Sequence, residues 1–589
     1  MTQPIRLKDH EKDARLVRGR VVVGAIVVVT LICVLLARLY YLQVVQYDYH
    51  STLSENNRVH VQPIPPTRGL IFDRNGVVIA DNRPSFSLSM TRERSGDWQQ
   101  VLDVIVEVLQ LAPEDRALFE KRMKQGRRPF EPVPILFELN EEQIARIAVN
   151  QFRLPGVEVV AQLVRHYPQG AHFAHSVGYE EVETNARGRV LRVLKRTDPI
   201  PGKDIVLSLD IKLQEAAEEA LAGRRGAVVA LNPMTGEVLA MVSQPSFDPN
   251  LFVTGISFKA YAELRDSIDR PLFNRILRGL YPPGSTIKPA VAIAGLDSGV
   301  ITGSSRVYDP GYYQLPNYDH KYRNWNRSGD GYVDLDTAIM RSNDTYFYDL
   351  AHKLGIDRLS SYMNQFGIGR KVSLDMFEES AGLMPSREWK RATRRQAWFP
   401  GETLILGIGQ GYMQSTPLQL AQATALIASK GKWIRPHLAK TIEGVPPVDP
   451  DPVPDIVLRD PSNWAKVNHG MQQVVHGARG TARVAGVGAQ YLIAGKSGTA
   501  QVVAIKQGEK YDRSKVQERH RDHALFVGFA PANNPQITVS VMIENGEAGS
   551  RVASPVVRKV MDAWLLGEDG KLKPEYGGPV KAEVPANDE

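Results

Sequence analysis

Residues 225–245, RGAVVALNPMTGEVLAMVSQP, decide the fold class, because they read as two apolar strands joined by a turn. Proline, threonine and glycine fill the turn between GAVVALN and EVLAMVS, as turn chemistry requires. Further strand-like runs at residues 491–503, 524–530 and 536–544 follow only after a mostly helical stretch over 257–430. Strands, then helices, then strands predict one α/β (α+β) domain whose sheet draws on both ends of the segment.

Upstream of this domain, residues 199–202 read Pro-Ile-Pro-Gly, a composition that indicates a domain boundary. Residues 68–82, RGLIFDRNGVVIADN, predict a hairpin around an Asn-Gly turn. Residues 98–150 predict helices, because Leu, Val and Ile recur periodically among charged residues. We therefore predict a mixed N-terminal domain over 44–200, followed by the α/β domain over 201–567.

An uncharged apolar run begins at residue 21 and, apart from Arg38, continues past residue 40. It reaches the roughly 20 residues that a membrane-spanning helix needs, so we predict an anchor over residues 21–43. Residues 1–20 carry six Lys or Arg against three Asp or Glu, whereas residues 44–50 carry no Lys or Arg. The positive-inside rule then places residues 1–20 in the cytoplasm and the body outside. The alternative is a cleaved signal peptide, but no small-x-small cleavage site follows the run.

Composition narrows the function classes further. The 589 residues carry 72 Lys and Arg against 65 Asp and Glu, and no basic run stands out, which argues against a nucleic-acid partner. Cys33 is the single cysteine, so the sequence holds neither a disulfide framework nor a cysteine-based zinc cluster. The last residues, 568–589, are rich in Gly, Pro and charge, and predict a disordered tail.

The first chemical motif is Ser285-Thr286-Ile287-Lys288, which follows a Pro-Pro-Gly turn. We expect a helix to begin at the serine, and residues three apart share a helix face, so Lys288 Nζ can reach Ser285 Oγ. A lysine beside a serine can act as general base if burial or a second cation lowers its pKa. The helix N-terminus adds positive potential at the serine. Alone, the motif is a weak signal, because a chain of this length carries about one or two Ser-x-x-Lys matches by chance, most of them on solvated helix faces.

The second motif is Ser342-Asn343-Asp344, between segments that predict helices over 333–341 and 345–354. A hydroxyl at Ser342 could relay a proton between a base and a leaving amine. The motif by itself is also typical of an ordinary helix cap or turn.

The third motif is Lys496-Ser497-Gly498-Thr499, inside the strand-like run 491–503. Glycine in a strand allows a ligand to approach the backbone closely. Lys496 and the neighbouring hydroxyls suit a substrate carboxylate. The backbone N–H of Thr499, with that of Ser285, could form an oxyanion hole.

In this order, the three motifs resemble those of the penicillin-binding protein and serine β-lactamase superfamily. Residues 68–82 resemble the start of the N-terminal pedestal of class B penicillin-binding proteins, and residues 407–419, GIGQGYMQSTPLQ, are also similar to that class. Residues 309–316, DPGYYQLP, and residues 342–348, SNDTYFY, are most similar to the elongation-specific branch in rod-shaped Gram-negative bacteria. The resemblance covers essentially residues 20–565.

The resemblance implies a penicillin-binding/serine β-lactamase-like transpeptidase domain over 201–567, a dimerisation-type pedestal over 44–200 and one transmembrane helix. It implies a D,D-transpeptidase that cross-links peptidoglycan stem peptides through an acyl-serine intermediate during cell elongation. Ser285 would be the nucleophile and Lys288 its general base. Ser342 would relay a proton, and Lys496 would be the lysine of the third motif. The residues expected to bind substrate or to form the oxyanion side are Asp344, Ser497, Gly498 and Thr499. Asp344 stands where the family usually has Asn, and it could pair with either lysine.

The implied partners are donor and acceptor stem peptides, β-lactams that acylate Ser285, a RodA-type glycosyltransferase, other elongation-complex proteins and the membrane, with no nucleic acid. The implied location is the inner membrane, with a single pass and a periplasmic catalytic domain. Three alternatives stay open: a scaffold that activates the glycosyltransferase, a division-specific transpeptidase, and a β-lactamase. A β-lactamase usually lacks both a membrane anchor and a pedestal domain.

The resemblance also implies zinc in some relatives, held by Asp, His and Cys beside the second motif. Here Asp309 is present, but the nearby positions are Asn324, Asp330 and Asn343, with no cysteine. Zinc favours nitrogen and sulfur ligands, so we predict no tight zinc site and no cofactor. The charged stretch 506–522 reads as a mobile lid or a solvated loop, and the solvated loop is favoured.

Overall fold

The computed structural model describes residues 10–45, 67–124, 132–177, 201–253, 255–445, 449, 451–503 and 516–576. Contacts divide the chain into two compact units. The first comprises residues 1–66, 86–160 and 183–199, and the second comprises residues 67–85, 161–182 and 200–589. This interleaved division differs from the single boundary predicted at residue 200. Most of the predicted lid or loop, residues 506–515, lies outside the described residues.

The chain's N-terminal helix runs over His10–Tyr40 and continues as a π-helical turn over Tyr41–Val45. Its segment Arg20–Tyr40 has a mean hydropathy of 2.8 and is not buried against protein. Among the described residues, this is the one helix long and apolar enough to cross a membrane. The finding agrees with the predicted anchor.

The rest of the first unit packs three helices against strand segments around one apolar core. The helices are Trp98–Leu109, Pro113–Lys124 and Glu141–Val149. Residues 88–91, at the end of the strand Val78–Thr91, pair in antiparallel fashion with the strand Pro132–Leu136. Helix had been expected throughout 98–150, and this is wrong over Pro132–Leu136. There the buried Val133 and Ile135 alternate with more exposed residues, which is the two-residue period of a strand.

The second unit is built on a five-stranded antiparallel sheet. Its strands in chain order are β1 (Gly226–Leu231), β2 (Val238–Gln244), β3 (Ala494–Ala500), β4 (His523–Ala530) and β5 (Ile537–Ile543). Their order across the sheet is β3-β4-β5-β1-β2. The pairing of β5 with β1 joins the two ends of the segment, which confirms the predicted sheet. Nearly every residue of these strands is buried.

The helices of this unit cover the sheet and hold the candidate site. Four are used below: α1 (Lys288–Asp297), α2 (Leu335–Met340), α3 (Asp344–Gln365) and α4 (Pro400–Gly407). The other helices of eight residues or more are Ile211–Leu221, Phe258–Arg265, Arg387–Arg394, Pro417–Ala428, Ser462–His476 and Ser554–Leu565. Short strands Val307–Asp309 and Gly331–Val333 pair with each other, as do Tyr312–Gln314 and Lys321–Arg323.

The predicted hairpin over 68–82 is present in this unit. Strand Ile71–Phe72 pairs with the start of Val78–Thr91 around the Asn-Gly turn. It also pairs in parallel with Ile205–Leu207, which lies beside Ala439–Ile442. These pairings explain why residues 67–85 group with the second unit and not with the first.

The end of the described chain corrects one prediction. Disorder had been expected from residue 568, but Leu572 forms a β-bridge with Leu566 and a 3₁₀ turn follows over Pro574–Tyr576. The side chains of Leu572 and Tyr576 pack against the core, and this apolar contact was masked by the Gly and charge around them. The prediction is therefore wrong for residues 568–576, and residues 577–589 lie outside the described part.

Candidate active site

Ser285 lies in a single 3₁₀ turn, Gly284–Ile287, directly before α1. The α-helix therefore begins at Lys288 and not at the serine, which corrects the predicted helix start. The Thr286 hydroxyl ties the turn to the preceding residues by donating to Pro283 O at 2.6 Å. Ser285 is only partly buried and lines a cavity of about 640 Å³.

Strand β3 passes directly beside this turn, and Gly498 makes the approach possible. A Cβ atom on Gly498 would lie 2.7 Å from Thr286 Cγ2 and 3.3 Å from Pro283 O, which no side chain tolerates. Glycine in the strand therefore serves close backbone packing, as the sequence indicated. The neighbouring Ser497 hydroxyl lies 3.0 Å from that of Thr481, and Ser497, Gly498 and Thr499 all line the cavity.

The second motif forms the corner between α2 and α3. The N–H of Ser342 donates to Ile339 O at 3.2 Å and that of Asn343 donates to Ala338 O at 2.9 Å, which closes α2 as a Schellman motif. Glycine usually fills the left-handed position of this motif, but here Ser342 holds it, with φ +57°. Asn343 then caps α3 by accepting from Tyr346 N at 2.9 Å. The motif is therefore a helix cap and also part of the cavity lining, since Ser342 and Asp344 both face the cavity.

Two buried lysines converge on the Ser342 hydroxyl. Lys496 Nζ donates to Ser342 Oγ at 2.8 Å and to Ser497 O at 2.9 Å. Lys288 Nζ donates to Ser342 O at 2.9 Å, lies 3.5 Å from Ser342 Oγ and forms an ion pair with Asp344 Oδ1 at 2.7 Å. Neither lysine has any exposed surface. The sequence left open which lysine Asp344 would pair with, and the structure pairs it with Lys288.

Burial lowers the pKa of both lysines. For Lys288 the desolvation of the ammonium is the largest cause, and Asp344 opposes it by attraction. For Lys496 the pKa is lowered well below its usual value, first by burial and then by the positive charge of Lys288. Each shift makes the neutral amine, which is the form that accepts a proton, easier to reach than in an exposed lysine.

One predicted contact is absent. Within the described residues, no hydrogen bond joins Lys288 Nζ to Ser285 Oγ, because Asp344 and the Ser342 carbonyl hold the ammonium. Catalytic hydrogen bonds are often longer before substrate binds, so the geometry leaves Lys288 a candidate base. Ser285, Ser342 and Asp344 share the cavity lining, while the two lysines lie beneath it.

A buried hydrogen-bond hub behind the second motif was not predicted. Asp309, 1% exposed, accepts hydrogen bonds from two side-chain amides, one hydroxyl and two backbone N–H groups. The donors are Asn324, Asn343, Thr345, Gly311 and Asp330. Because Asn343 and Thr345 flank Asp344, the hub fixes the position of the acid that holds Lys288. In the sequence, Asp309 stood out as a possible metal ligand and as the first residue of DPGYYQLP, and neither pattern indicates a hydrogen-bond hub.

This hub fits zinc poorly. The oxygen atoms of Asp309 are already satisfied by N–H and O–H donors, and the facing side chains are amides and not thiolates or imidazoles. Within the described residues, no group of three His, Cys, Asp or Glu side chains is placed to hold a metal ion. That no tight zinc site exists stays a prediction.

Part of the cavity rim was not predicted from the sequence. Trp325 donates its backbone N–H to Asp344 Oδ2 at 3.0 Å, and Gln410 donates its side-chain amide to Thr499 O at 2.8 Å. Three cationic side chains, from Arg341, Arg483 and Arg551, line the same cavity. They come from separate segments, and no local pattern would have grouped them.

Comparison with known proteins agrees with this architecture. Residues 226–562 match the penicillin binding protein transpeptidase domain, and residues 63–180 match the penicillin-binding protein dimerisation domain. The peptidoglycan D,D-transpeptidase MrdA of Acinetobacter baumannii is 42% identical, over 96% of this chain and 90% of its own.

Solved structures give the same result. Pseudomonas aeruginosa PBP2 in complex with WCK 5153 is 61% identical with a TM-score of 0.69, over 88% of this chain and 100% of that one. PBP2 from the Helicobacter pylori complex with MreC is 26% identical with a TM-score of 0.72, over 86% and 98% of the two chains. A chain from a peptidoglycan synthase complex, in which polymerization and crosslinking are coordinated, is 30% identical with a TM-score of 0.62, over 93% and 99%. The chain therefore belongs to the class B penicillin-binding proteins, in the family of penicillin-binding protein 2.

Proposed function

We propose that this protein is a peptidoglycan D,D-transpeptidase that cross-links stem peptides during cell elongation. The observation that carries the proposal is the pair of buried lysines around Ser342, beneath a cavity that exposes Ser285. A serine beside amines of lowered pKa suits acyl transfer through a covalent intermediate. The identity to a D,D-transpeptidase over nearly the whole chain supports the same reaction.

In the proposed acylation step, Ser285 Oγ attacks the carbonyl carbon of the D-Ala–D-Ala bond in a donor stem. Its proton passes to the neutral amine of Lys288, and the backbone N–H groups of Ser285 and Thr499 hold the oxyanion. The C–N bond then breaks, and the leaving D-Ala takes a proton through Ser342, which lies between the two amines. The products are free D-Ala and an ester on Ser285.

In the second step, the amine of an acceptor stem attacks this ester. The same groups act in reverse: Ser342 and Lys288 remove a proton from the attacking amine and return one to Ser285 Oγ. The new peptide bond is the cross-link. Lys496 keeps the Ser342 hydroxyl oriented, while Ser497, Gly498 and Thr499 provide polar groups and space for the donor's carboxylate side. A β-lactam would acylate Ser285 as a mimic of the donor.

The proposed cellular setting follows from the anchor and from the relatives. Residues 1–20 would lie in the cytoplasm and residues 21–43 would cross the inner membrane, with the catalytic unit in the periplasm. A relative is found in a complex with MreC, and another in a synthase complex that couples polymerization to crosslinking. We therefore expect elongation proteins and a RodA-type glycosyltransferase as partners, with the pedestal over 44–200 and the anchor as the contact regions.

The decisive test labels the full-length protein in detergent with a fluorescent penicillin, followed by peptide mass spectrometry. A stable adduct on the peptide that holds Ser285, absent in Ser285→Ala, is expected. Ser298→Ala is the matched control, because Ser298 follows α1 and its hydroxyl donates to Ala294 O at 2.6 Å, outside the cavity. Loss of drug without an adduct would indicate a β-lactamase, and a folded protein that does not react would contradict the proposal.

A scaffold role can coexist with catalysis, and the synthase-complex relative favours testing it. Ser285→Ala protein, reconstituted with the glycosyltransferase, separates the two roles. If the protein also activates its partner, glycan polymerisation continues while cross-linking stops. If polymerisation falls together with cross-linking, activation of the glycosyltransferase depends on the Ser285 nucleophile, and the separate scaffold role is rejected.

A further inference from the structure

A second cavity, of about 490 Å³, lies in the same unit as the catalytic one. Five aromatic rings line it, and we call it the aromatic cleft; they belong to Tyr318, His320, Tyr322, Phe399 and Tyr412. Ile405 and Leu406 form part of its apolar floor. Tyr318 is 54% exposed and Phe399 is 56% exposed, although rings of this size usually bury most of their surface. Such a concentration of exposed rings around a cavity is typical of a binding site.

The rings are held in place by the surrounding structure. The rings of His320 and Tyr322 meet edge to face at 4.6 Å, and Gly401 leaves room for the Tyr322 hydroxyl, which any Cβ there would displace. The buried ammonium of Lys390 lies 4.3 Å from the centre of the Phe399 ring. The cleft is therefore preorganised, and a ligand would not need to order it.

The charge of the cleft restricts the ligand. Glu402 is the one carboxylate among its lining residues, and both oxygens are engaged: one binds Lys390 and the other accepts from Phe399 N at 2.8 Å. Lining residues such as Tyr318 and Tyr322 offer ring faces and hydroxyls in place of charge. Ring faces and hydroxyls together suit an uncharged ligand with flat apolar faces and polar edges, which is the chemistry of a pyranose ring.

The cleft also adjoins the catalytic cavity. Ile408 lines the cavity of Ser285 and packs into the same apolar cluster as Tyr322 and Ile405, which line the cleft. The segment 405–412 is therefore a shared wall. A strand that carries peptides on sugars could place one peptide at Ser285 and a neighbouring sugar across this wall.

We propose that the aromatic cleft is a saccharide subsite that binds the uncharged sugar rings of the glycan strand whose stem peptide enters the catalytic cavity. This inference rests on the proposed function, because it names the part of the same substrate that lies outside the Ser285 cavity. The cleft adds affinity for the polymeric strand and contributes nothing to the chemistry at Ser285.

The test compares Tyr318→Ala and Phe399→Ala with Tyr332→Ala in the full-length protein. Tyr332 is the matched control because it is an exposed ring (76%) of the same unit that does not line the cleft. Both cleft variants are expected to raise KM for cross-linking of uncross-linked glycan strands about tenfold, the usual cost of truncating a central aromatic contact. Their kcat, their acylation by fluorescent penicillin and their reaction with sugar-free stem-peptide mimics should match the wild type.

A direct binding measurement completes the test. Chitotetraose, a peptide-free β-1,4-linked N-acetylglucosamine tetramer, should give saturation-transfer NMR signals with the wild type and Tyr332→Ala that weaken in both cleft variants. Unchanged strand KM and unchanged sugar signals in both cleft variants would overturn the inference, as would variants that lose only binding of a partner protein. Failure of the proposed function is distinguishable, because the wild type itself would then not be acylated.

Discussion

Two lysines of the second unit, Lys288 and Lys390, are almost equally buried, but only Lys288 is proposed here as a catalytic base. Each forms an ion pair with a partly exposed carboxylate, Asp344 for the first and Glu402 for the second. Each also lies over an aromatic ring. Burial, an ion pair and a ring are therefore not sufficient to mark a general base.

The difference lies in what else each ammonium meets. Lys288 also contacts Ser342, whose hydroxyl binds a second buried lysine, Lys496, and the cluster lies under an open cavity. Lys390 meets no such hydroxyl or second lysine among its described contacts, and its partner Glu402 caps α4. A second cation and a shared hydroxyl turn a buried ion pair into a site that can exchange a proton.

The largest effect is expected from Lys288→Met. Acylation by fluorescent penicillin should slow by about 10³-fold, since the base is removed from the proton transfer. Removal of its positive charge should also raise the pKa of Lys496. The measurement is the second-order acylation rate constant, with folding checked by thermal melting. Acylation within about tenfold of the wild-type rate would assign the base elsewhere.

A smaller effect is expected from Asp344→Asn, which removes the charge that faces Lys288 and keeps the size of the side chain. Asp344 raises the pKa of Lys288 against the effect of burial, so its loss should lower that pKa further. Acylation rises with pH as the base loses its proton, and this rise should therefore move to lower pH, with a rate change of about tenfold or less at alkaline pH. Acylation rate constants recorded over a range of pH measure both the shift and the rate change. A shift of the rise to higher pH would show that Asp344 does not control the base.

Asp309→Asn tests the hub behind the second motif. The variant keeps the side chain's size but turns one oxygen into a donor that faces the amides of Asn324 and Asn343. The free energy of unfolding should fall by about 2–3 kcal/mol, and acylation should slow several-fold because the cap of α3 loosens. Denaturant titration and acylation rates measure both.

The matched control for this hub is Asp357→Asn, which removes a carboxylate from a surface ion pair with Arg387 at 3.0 Å. A surface pair contributes about 0–1 kcal/mol, so this variant should be nearly neutral. Equal behaviour of the two variants would mean that the hub does not position the site.

The smallest effect on chemistry is expected from Lys390→Met. It leaves Glu402 without its buried cation, which should cost about 2–3 kcal/mol of stability, while acylation per folded molecule stays unchanged. The measurement combines thermal melting with penicillin titration of active sites. Loss of acylation comparable to that of Lys288→Met would remove the distinction between the two lysines.

Much of the fold was predictable from the sequence, because strand and helix patterns are local. The runs GAVVALN and EVLAMVS correspond to β1 and β2, and residues 524–530 correspond closely to β4. The strand over Pro132–Leu136 was missed because its two prolines break the pattern that usually marks a strand. Leu572 and Tyr576 were missed because their apolar partners lie elsewhere in the chain.

The sequence by itself determined the apolar N-terminal helix, most strands of the sheet and the three motifs, since each depends on residues that are neighbours in the chain. Only the tertiary structure decided that Asp344 pairs with Lys288 and that five aromatic rings line one cleft. The hydrogen bonds that Asp309 accepts from several loops and helix ends were also decided there. These arrangements join side chains that lie far apart in sequence. Their partners are chosen by packing and by the need to satisfy buried polar groups, and no local pattern records that choice.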